Sequence, residues 1–278
     1  MHLQLDPVWS ELRRVLAPGG LACLNLGDAT RTIDEEFQLF LNHVRVSSRF
    51  PDLGFVALPD ILWRKQTNSP TKFMGSGMLP PNAYVTLEHE YILIFRKPGK
   101  RSFLSDAKMR RKESAYFWEE RNEWFSHVWD KIKGEDQKLT MSETPGRIRS
   151  AAFPLMLAYR LISMFSVAGD CVLDPFLGTG TTTLAAIRQG RNSIGYEIDS
   201  GFELEDRFSG TQRISYEINV KRLKRHGEFV RSSNREFKHF NSFYNFPVMT
   251  SQEVDICLWE ARSIKKTGGD YEVDHEKT

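Results

Sequence analysis

One stretch, residues 171–197, constrains the fold more than any other part of the chain. An apolar strand, Cys171 to Leu173, is followed by the loop Asp174-Pro-Phe-Leu-Gly-Thr-Gly-Thr-Thr182, a helix to about Gln189 and a second strand, Ser193 to Glu197. This order predicts the first half of a doubly wound α/β sheet. The glycines let the backbone approach a ligand closely, and the carboxylate of Glu197 can accept hydrogen bonds from a ribose diol.

Two other nucleotide sites fit this loop less well. A nicotinamide or flavin site requires a third glycine at position 183, where the chain has Thr183, and a first glycine directly after the strand. A Walker-type phosphate loop is excluded because no Gly-Lys-Ser/Thr follows. S-adenosylmethionine has no pyrophosphate to cradle, and it tolerates the looser spacing of Gly178 and Gly180.

The same stretch resembles the cofactor motif of the β-class DNA methyltransferases, which methylate adenine N6 or cytosine N4. The matching residues are Val172 to Thr182, Ala185-Ala186, Gly190-Arg191, Ile194-Gly195 and Glu197-Ile-Asp199. Upstream, Ala152-Phe153-Pro154 is similar to the family's other cofactor-contacting segment. Four N-terminal segments also follow the family's order: Trp9 to Gly20, Asn25 to Thr30, Ile61 to Lys65 and Glu88 to Ile92.

The resemblance covers roughly residues 6–205, and its implications are specific. It implies an α/β fold with one Rossmann-like, largely parallel methyltransferase sheet, S-adenosylmethionine as the cofactor and duplex DNA as the substrate, with the target base flipped out. It implies a methylase of the kind found in restriction-modification. The matching positions for cofactor binding are Phe153, Pro154, Asp174, Pro175, Phe176, Gly178, Gly180, Thr181, Thr182 and Glu197.

Basic residues followed by aromatic residues mark the region that the motif order assigns to target recognition, residues 97–150. Cations that can contact phosphate and aromatic rings that can stack on bases agree with that assignment. A solvated helix face with core tryptophans behind it is the alternative. The loop Thr67 to Pro81 is predicted either to close on flipped DNA or to be a plain surface loop. The candidate DNA-binding residues are Lys65, Lys72, Arg101, Arg110 and Arg111.

Four regions follow from these assignments. Residues 1–96 are predicted to be the C-terminal part of the catalytic half, and residues 97–150 the recognition insertion. Residues 151–225 are predicted to be the cofactor-binding half, and residues 226–278 an irregular basic and polar tail with one strand, Val254 to Trp259.

The family's Ser/Asp/Asn-Pro-Pro-aromatic motif, which holds the target amino group, is not found, so no catalytic residue is assigned. In the family, the strand that carries this motif lies in the interior of the sheet. If this catalytic strand is missing, backbone groups of the neighbouring strands are left unpaired. We expect an upstream segment, a separate polypeptide or the strand Val254 to Trp259 to fill that slot, and we favour the first. This chain alone is then expected to transfer no methyl group.

Two further hypotheses remain: a DNA- and cofactor-binding subunit without activity, and a methyltransferase acting on RNA or a small molecule. The formal charge of +2 makes nucleic-acid binding depend on local clusters of Lys and Arg. None of the cysteines Cys23, Cys171 and Cys257 follows a proline, unlike the nucleophile of the cytosine-C5 enzymes. Their spacing, and the absence of a signal-like or membrane-spanning stretch, predict a cytoplasmic protein without metal; a homodimer is left open.

Overall fold

The computed structural model describes residues 2–65, 74–134, 153–198, 211–268 and 270–278. The chain divides into two compact units. The first comprises Met1–Ser102 and Ser126–Gly134, and the second comprises Phe103–Phe125 and Glu135–Thr278. The region predicted to be a recognition insertion is therefore shared by both units, and its boundaries at 97 and 150 do not mark a separate body.

The first unit contains a four-stranded sheet, two helices and two small hairpins. Its elements are α1 (His2–Val15), β1 (Leu21–Leu26), β2 (Ala29–Ile33), β3 (Glu36–Phe40), α2 (Asn42–Asp52), β4 (Val56–Arg64), β5 (Met74–Gly75), β6 (Ala83–Tyr84), β7 (His89–Arg96) and β8 (Val128–Trp129). The strand order of the sheet is β1-β7-β4-β8. Strand β7 is antiparallel to both β1 and β4, and only β8 runs parallel to β4.

The prediction of a largely parallel sheet is therefore wrong for this unit. Strand β1 shows the alternation of a half-buried strand: Ala22 and Leu24 are buried and their neighbours are less so. These two residues pack with Phe95 of β7 and with Phe50 of α2 in one apolar cluster. Whether two strands run parallel or antiparallel depends on which strands pair, and the alternation of apolar residues does not tell which strands pair.

The stretch from Phe37 to Phe50 is divided between a strand and a helix. Asp34 and Glu35 have φ angles of 50° and 65°, and they form the tight turn of the hairpin β2–β3. Helix α2 begins only at Asn42. The apolar residues before Asn42 belong to β3, a strand whose short length hides its alternation.

The second unit contains a parallel strand pair covered by helices, followed by two hairpins. Its elements are α3 (Asp106–Glu113), α4 (Trp118–Trp124), α5 (Leu155–Phe165), β9 (Cys171–Asp174), α6 (Thr181–Ile187), β10 (Asn192–Gly195), α7 (Thr211–Ser232), β11 (His239–Phe240), β12 (Pro247–Val248), a 3-10 turn (Ser251–Glu253), β13 (Trp259–Thr267) and β14 (Asp270–Lys277). Strands β9 and β10 pair in parallel, as predicted. Helices α5 and α6 pack through Tyr159, Ile162 and Ala185.

The region predicted to be an irregular tail is largely regular. Helix α7 runs to Ser232, and β13 and β14 form a long antiparallel hairpin. The hairpin is hydrogen-bonded to the rest of the unit: His275 Nε2 lies 2.6 Å from the carbonyl oxygen of Ile187, and Lys277 Nζ lies 2.7 Å from Glu113. Within the described ranges, every helix is too short or too polar to span a bilayer.

Strand pairing also bears on the predicted slot in the sheet. Among the described residues, β1 pairs only with β7 and β9 pairs only with β10. The tail segment from Val254 to Leu258 is not a strand, and β13, which begins at Trp259, pairs with β14. The suggestion that this segment supplies the missing interior strand is therefore wrong. That an upstream segment or a second polypeptide supplies it stays a prediction.

A buried ionic network joins helices α4, α5 and α7. The guanidinium of Arg222 donates to both carboxylate oxygens of Glu120, at 2.6 and 2.8 Å, and to the hydroxyl of Tyr159 at 3.2 Å. Beside it, Glu123 accepts a hydrogen bond from Arg160 at 2.6 Å. Because α4 derives from the predicted insertion, whereas Tyr159, Arg160 and Arg222 belong to the predicted cofactor-binding half, the network makes these two regions parts of one core.

Candidate cofactor and DNA sites

The glycine loop is closed by the side chain of Asp174, the last residue of β9. Its Oδ1 accepts a hydrogen bond from the backbone N–H of Phe176 at 3.0 Å, and its Oδ2 accepts one from the hydroxyl of Thr182 at 2.5 Å. One carboxylate therefore holds the start of the loop and the first turn of α6. This bracing explains chemically why an aspartate and a threonine stand eight residues apart.

Glu197, two residues after β10 ends at Gly195, closes the same loop. Its Oε2 accepts a hydrogen bond from the backbone N–H of Gly178 at 2.7 Å. Two backbone hydrogen bonds continue the connection: Leu177 N–H to the carbonyl of Tyr196 at 2.8 Å, and Tyr196 N–H to the carbonyl of Asp174 at 3.0 Å. The structure thus brings together the carboxylate and the glycine loop that the sequence predicted to share one site.

The glycines of the loop adopt a backbone conformation that disfavours other residues. Gly178 has φ 50° and Gly180 has φ 77°. Among the described residues, a Cβ built on Gly178 would meet one atom within 4 Å, the carbonyl oxygen of Phe176 at 3.9 Å. As far as the described part of the chain shows, the space beside Gly178 is open, next to the Glu197 carboxylate. Open backbone beside an acceptor for a diol fits the nucleoside part of S-adenosylmethionine.

The other predicted cofactor residues surround this loop less directly. Phe153 packs on the α5–α6 apolar cluster, against which Val172 of β9 also packs. Pro154 is buried and precedes the first turn of α5. Thr181 is only 7% exposed, whereas the ring of Phe176 is 51% exposed. Pro175 is half-buried between Asp174 and Phe176.

A contact between the glycine loop and strand β10 was not predicted from the sequence. A Cβ built on Gly195 would lie 2.5 Å from Cδ1 of Leu177, so the loop packs on a bare backbone position in β10. The hydroxyls of Thr183 and Ser193 are also within hydrogen-bond distance, 2.9 Å apart. The signal available in the sequence was the glycine two residues before Glu197.

The candidate DNA-binding residues lie in different surroundings. In the first unit, Lys65 pairs with Glu90 at 2.8 Å, and Arg101 is exposed. In the second unit, Arg110 and Arg111 lie exposed on α3, and the guanidinium of Arg111 lies 4.7 Å from the ring centroid of Phe103. Lys72 lies outside the described residues, as do residues 67–73 of the predicted loop from Thr67 to Pro81.

Three aromatic residues of the predicted recognition region are core residues. Phe117 is fully buried, and Trp124 and Trp129 are 3% and 2% exposed. A buried ring offers no face to a base, so the prediction that these rings stack on DNA is wrong. Phe125, which is 40% exposed, keeps an accessible face. Position in the motif order did not distinguish core aromatics from surface ones.

Comparison with known proteins identifies the family. A family model described as DNA methylase matches residues 1–204. The chain belongs to the DNA methylase family. This DNA methylase is 55% identical over 269 residues to Type II methyltransferase M.MthZI from Methanothermobacter thermautotrophicus, covering 96% of the chain and 75% of that protein. It is 52% identical over 228 residues to Type II methyltransferase M.MjaI from Methanocaldococcus jannaschii, covering 81% and 73%.

A solved structure agrees with this assignment. The DNA methylase resembles TTHA0409, a DNA modification methylase of Thermus thermophilus that was crystallised with S-adenosyl-L-methionine. The TM-score is 0.61 at 35% identity, over 75% of this chain and 76% of that one. The predicted family, the Rossmann-like fold class, the enzyme class and S-adenosylmethionine as the cofactor are thereby confirmed.

Proposed function

We propose that this DNA methylase transfers the methyl group of S-adenosylmethionine to an exocyclic amino group, adenine N6 or cytosine N4, of a base flipped out of duplex DNA. The observation that carries the proposal is the loop at Gly178, which is open on one side and braced by the carboxylates of Asp174 and Glu197. Its geometry suits a nucleoside that has a free ribose diol.

Each residue of the site has a separate task in this proposal. Glu197 accepts hydrogen bonds from the ribose hydroxyls, and the loop from Gly178 to Gly180 lets the cofactor approach the backbone. Asp174 holds that loop in shape through Thr182. The chemistry supplied by the bound cofactor is an electrophilic methyl group on a sulfonium sulfur. Phe153 and Pro154 are proposed to pack against the methionine part.

The cysteines support direct transfer without a covalent enzyme intermediate. Burial raises the pKa of Cys23 to about 12 and that of Cys257 to about 11. Both thiols are therefore protonated at neutral pH and are poor nucleophiles. Cys171 is exposed, but it begins β9, whereas Asp174 ends that strand, roughly 10 Å away along it.

For DNA, we propose that Lys65, Lys72, Arg101, Arg110 and Arg111 contact phosphates. All are cations that can neutralise a backbone charge without reading sequence. We also propose that the described residues 153–198 and 211–225 form the cofactor-binding half of the enzyme. If the five cations contact phosphates, DNA binding should weaken steeply as the salt concentration rises.

Cofactor binding tests the proposal independently of turnover. S-adenosylmethionine should bind the purified protein, measured by isothermal titration calorimetry. The Glu197→Gln variant should bind roughly 10- to 100-fold more weakly, because hydrogen bonds to a charged acceptor are worth about 1.5–3 kcal/mol. Glu236→Gln is the matched control, since Glu236 is exposed and lies outside the loop. Equal affinity of the two variants would contradict the proposed role of Glu197.

Product analysis tests the reaction itself. DNA is incubated with the protein and methyl-labelled S-adenosylmethionine, and the digested nucleosides are separated and identified by mass spectrometry. Label in N6-methyladenine or N4-methylcytosine supports the proposal and decides between the two bases. Label in 5-methylcytosine would contradict it. Any label in DNA would also contradict the expectation that this chain requires a further Pro-Pro-aromatic segment.

A further inference from the structure

The hairpin β5–β6 of the first unit carries two large apolar side chains at its tip, residues 76–82. Met78 is 81% exposed and Leu79 is 71% exposed. Single exposed apolar residues are ordinary on a protein surface, but two adjacent, almost fully exposed ones at the turn of a hairpin are not. The pair therefore calls for a partner into which a narrow apolar tip can enter.

The tip is held in a defined shape. The N–H of Ser76 donates to the carbonyl oxygen of Asn82 at 2.9 Å, and the hydroxyl of Ser76 donates to the carbonyl oxygen of Leu79. Gly75 has φ 65°, and a Cβ built on it would lie 2.1 Å from the carbonyl oxygen of Asn82. The two strands therefore approach more closely than any other residue at position 75 would allow.

The base of the hairpin is braced against its own unit. The ring of Tyr84 in β6 stacks on the ring of Phe37 in β3, with centroids 4.4 Å apart and planes inclined by 11°. A braced base and hydrogen-bonded tip mean that Met78 and Leu79 are presented by an ordered support. Side chains on such a support can enter a partner without the entropy cost of ordering a loop.

The charge of this segment indicates what the partner is. The described segment from Met74 to Leu87 contains no charged residue. A segment without carboxylates can approach phosphates without repulsion. Unbranched and γ-branched apolar side chains, such as those of methionine and leucine, are among those that wedge between base steps of duplex DNA. The DNA of a methylase is therefore the occupant that fits an uncharged tip carrying large apolar side chains.

We propose that Met78 and Leu79 form an apolar wedge that enters the DNA stack and fills the space left when the target base is flipped out. The inference rests on the proposed base flipping and adds the side chains that support it. A wedge stabilises the flipped state because it replaces part of the lost stacking with apolar contact. Its contribution is independent of the recognised sequence.

The test compares two duplexes of the same mixed sequence, one fully paired and one with a central abasic site. Fluorescence anisotropy gives the dissociation constant for each. The native protein should prefer the abasic duplex on the order of tenfold, since a wedge enters that step without breaking stacking. The variant with Met78→Ala and Leu79→Ala should lose this preference. The exchanged variant, Met78→Leu with Leu79→Met, keeps two large apolar side chains and should retain it.

Leu3→Ala is the matched control, because Leu3 is 82% exposed on α1 and lies far from the hairpin in sequence. It should retain the preference. The inference is overturned if the double alanine variant keeps the preference, if the native protein shows none, or if the tip alters only self-association in sedimentation. Binding of S-adenosylmethionine is measured in the same preparations. Normal cofactor binding without an abasic preference overturns the wedge alone, whereas absent cofactor binding contradicts the proposed function.

Discussion

The buried pair of Glu120 and Arg222 offers a sharp test of how the second unit is held together. Glu120 is 1% exposed, and its two oxygens accept hydrogen bonds from Arg222 at 2.6 and 2.8 Å. The same carboxylate accepts the N–H of Phe117 at 3.0 Å and so caps α4. Replacing Glu120 by alanine leaves a buried guanidinium without its partner and the helix without its cap.

The free-energy cost of losing the ion pair and that of losing the helix cap can each be estimated. Breaking a buried ion pair by removing one partner costs about 3–5 kcal/mol, and losing a cap costs about 1 kcal/mol. We therefore expect Glu120→Ala to lower the free energy of unfolding by about 4–6 kcal/mol, a large part of the roughly 5–15 kcal/mol typical of a domain. Removing both charges, with Glu120→Leu and Arg222→Met, should cost far less, about 1 kcal/mol for the lost cap, because replacing a buried ion pair by apolar residues is often close to neutral.

The assay is urea unfolding followed by circular dichroism, and the single variants Glu120→Leu and Arg222→Met are measured beside their combination to complete a double-mutant cycle. Lys112→Met serves as the control, because Lys112 pairs with Asp255 at 2.9 Å on the surface, with side chains 53% and 24% exposed. It should change stability by under about 1 kcal/mol. A double variant that loses as much stability as the sum of its singles would refute the reasoning, since the two charges would then be independent.

Three further predictions concern other parts of the molecule. Burial disfavours the charged form of the His226 side chain and lowers its pKa. Hydrogen bonds to Glu119 and to the carbonyl oxygen of Pro247 have the larger combined effect, so the pKa of His226 is raised. The protonated His226 should therefore stabilise the folded protein fully below its pKa in the unfolded chain, about 6.5, and this stabilisation should be lost as pH rises through the higher pKa in the folded protein. In Tm measured against pH, His226→Gln should flatten the curve over that range. Gly195→Ala should weaken S-adenosylmethionine binding several-fold in calorimetry by displacing Leu177. Trp63→Phe, which removes a buried 2.9 Å hydrogen bond, should lower stability by about 1–3 kcal/mol in thermal unfolding.

Much of the cofactor site could be predicted from local sequence. The strand that ends at Asp174, the loop through Gly178 and the helix that begins at Thr181 lie where the pattern placed them. These features are local, because a β-strand, a left-handed glycine and a helix start each depend on a few neighbouring residues. Glu197 was also predicted correctly as a neighbour of the loop, since parallel strands joined by one helix bring their carboxyl ends together.

In the predicted recognition region, the local sequence did not predict which side chains are buried. Basic and aromatic residues in one stretch suggested a DNA surface, but Phe117 and Trp124 lie in a core built with α7, a helix about 100 residues later. Nothing in the stretch itself reveals that Glu120 will meet Arg222. Burial depends on long-range packing, and a ring that can stack on a base can equally fill a core.

The tail was misjudged for the same reason. Its strands β13 and β14 contain many charged residues, so the segment was predicted to be irregular and polar. The hairpin is ordered because of its partners: Lys277 pairs with Glu113, and His275 meets the carbonyl of Ile187. Tertiary contacts overrode a weak local preference.

The sequence by itself therefore determined the family, the cofactor and the local shape of the loop from Asp174 to Thr182, since a tight glycine turn between strand and helix leaves few alternatives. Only the tertiary structure decided strand direction in the first unit, burial of the aromatic residues and the exposure of Met78 and Leu79. Those properties depend on which distant segments pack together. They follow from the free energy of the whole fold, which no single segment determines.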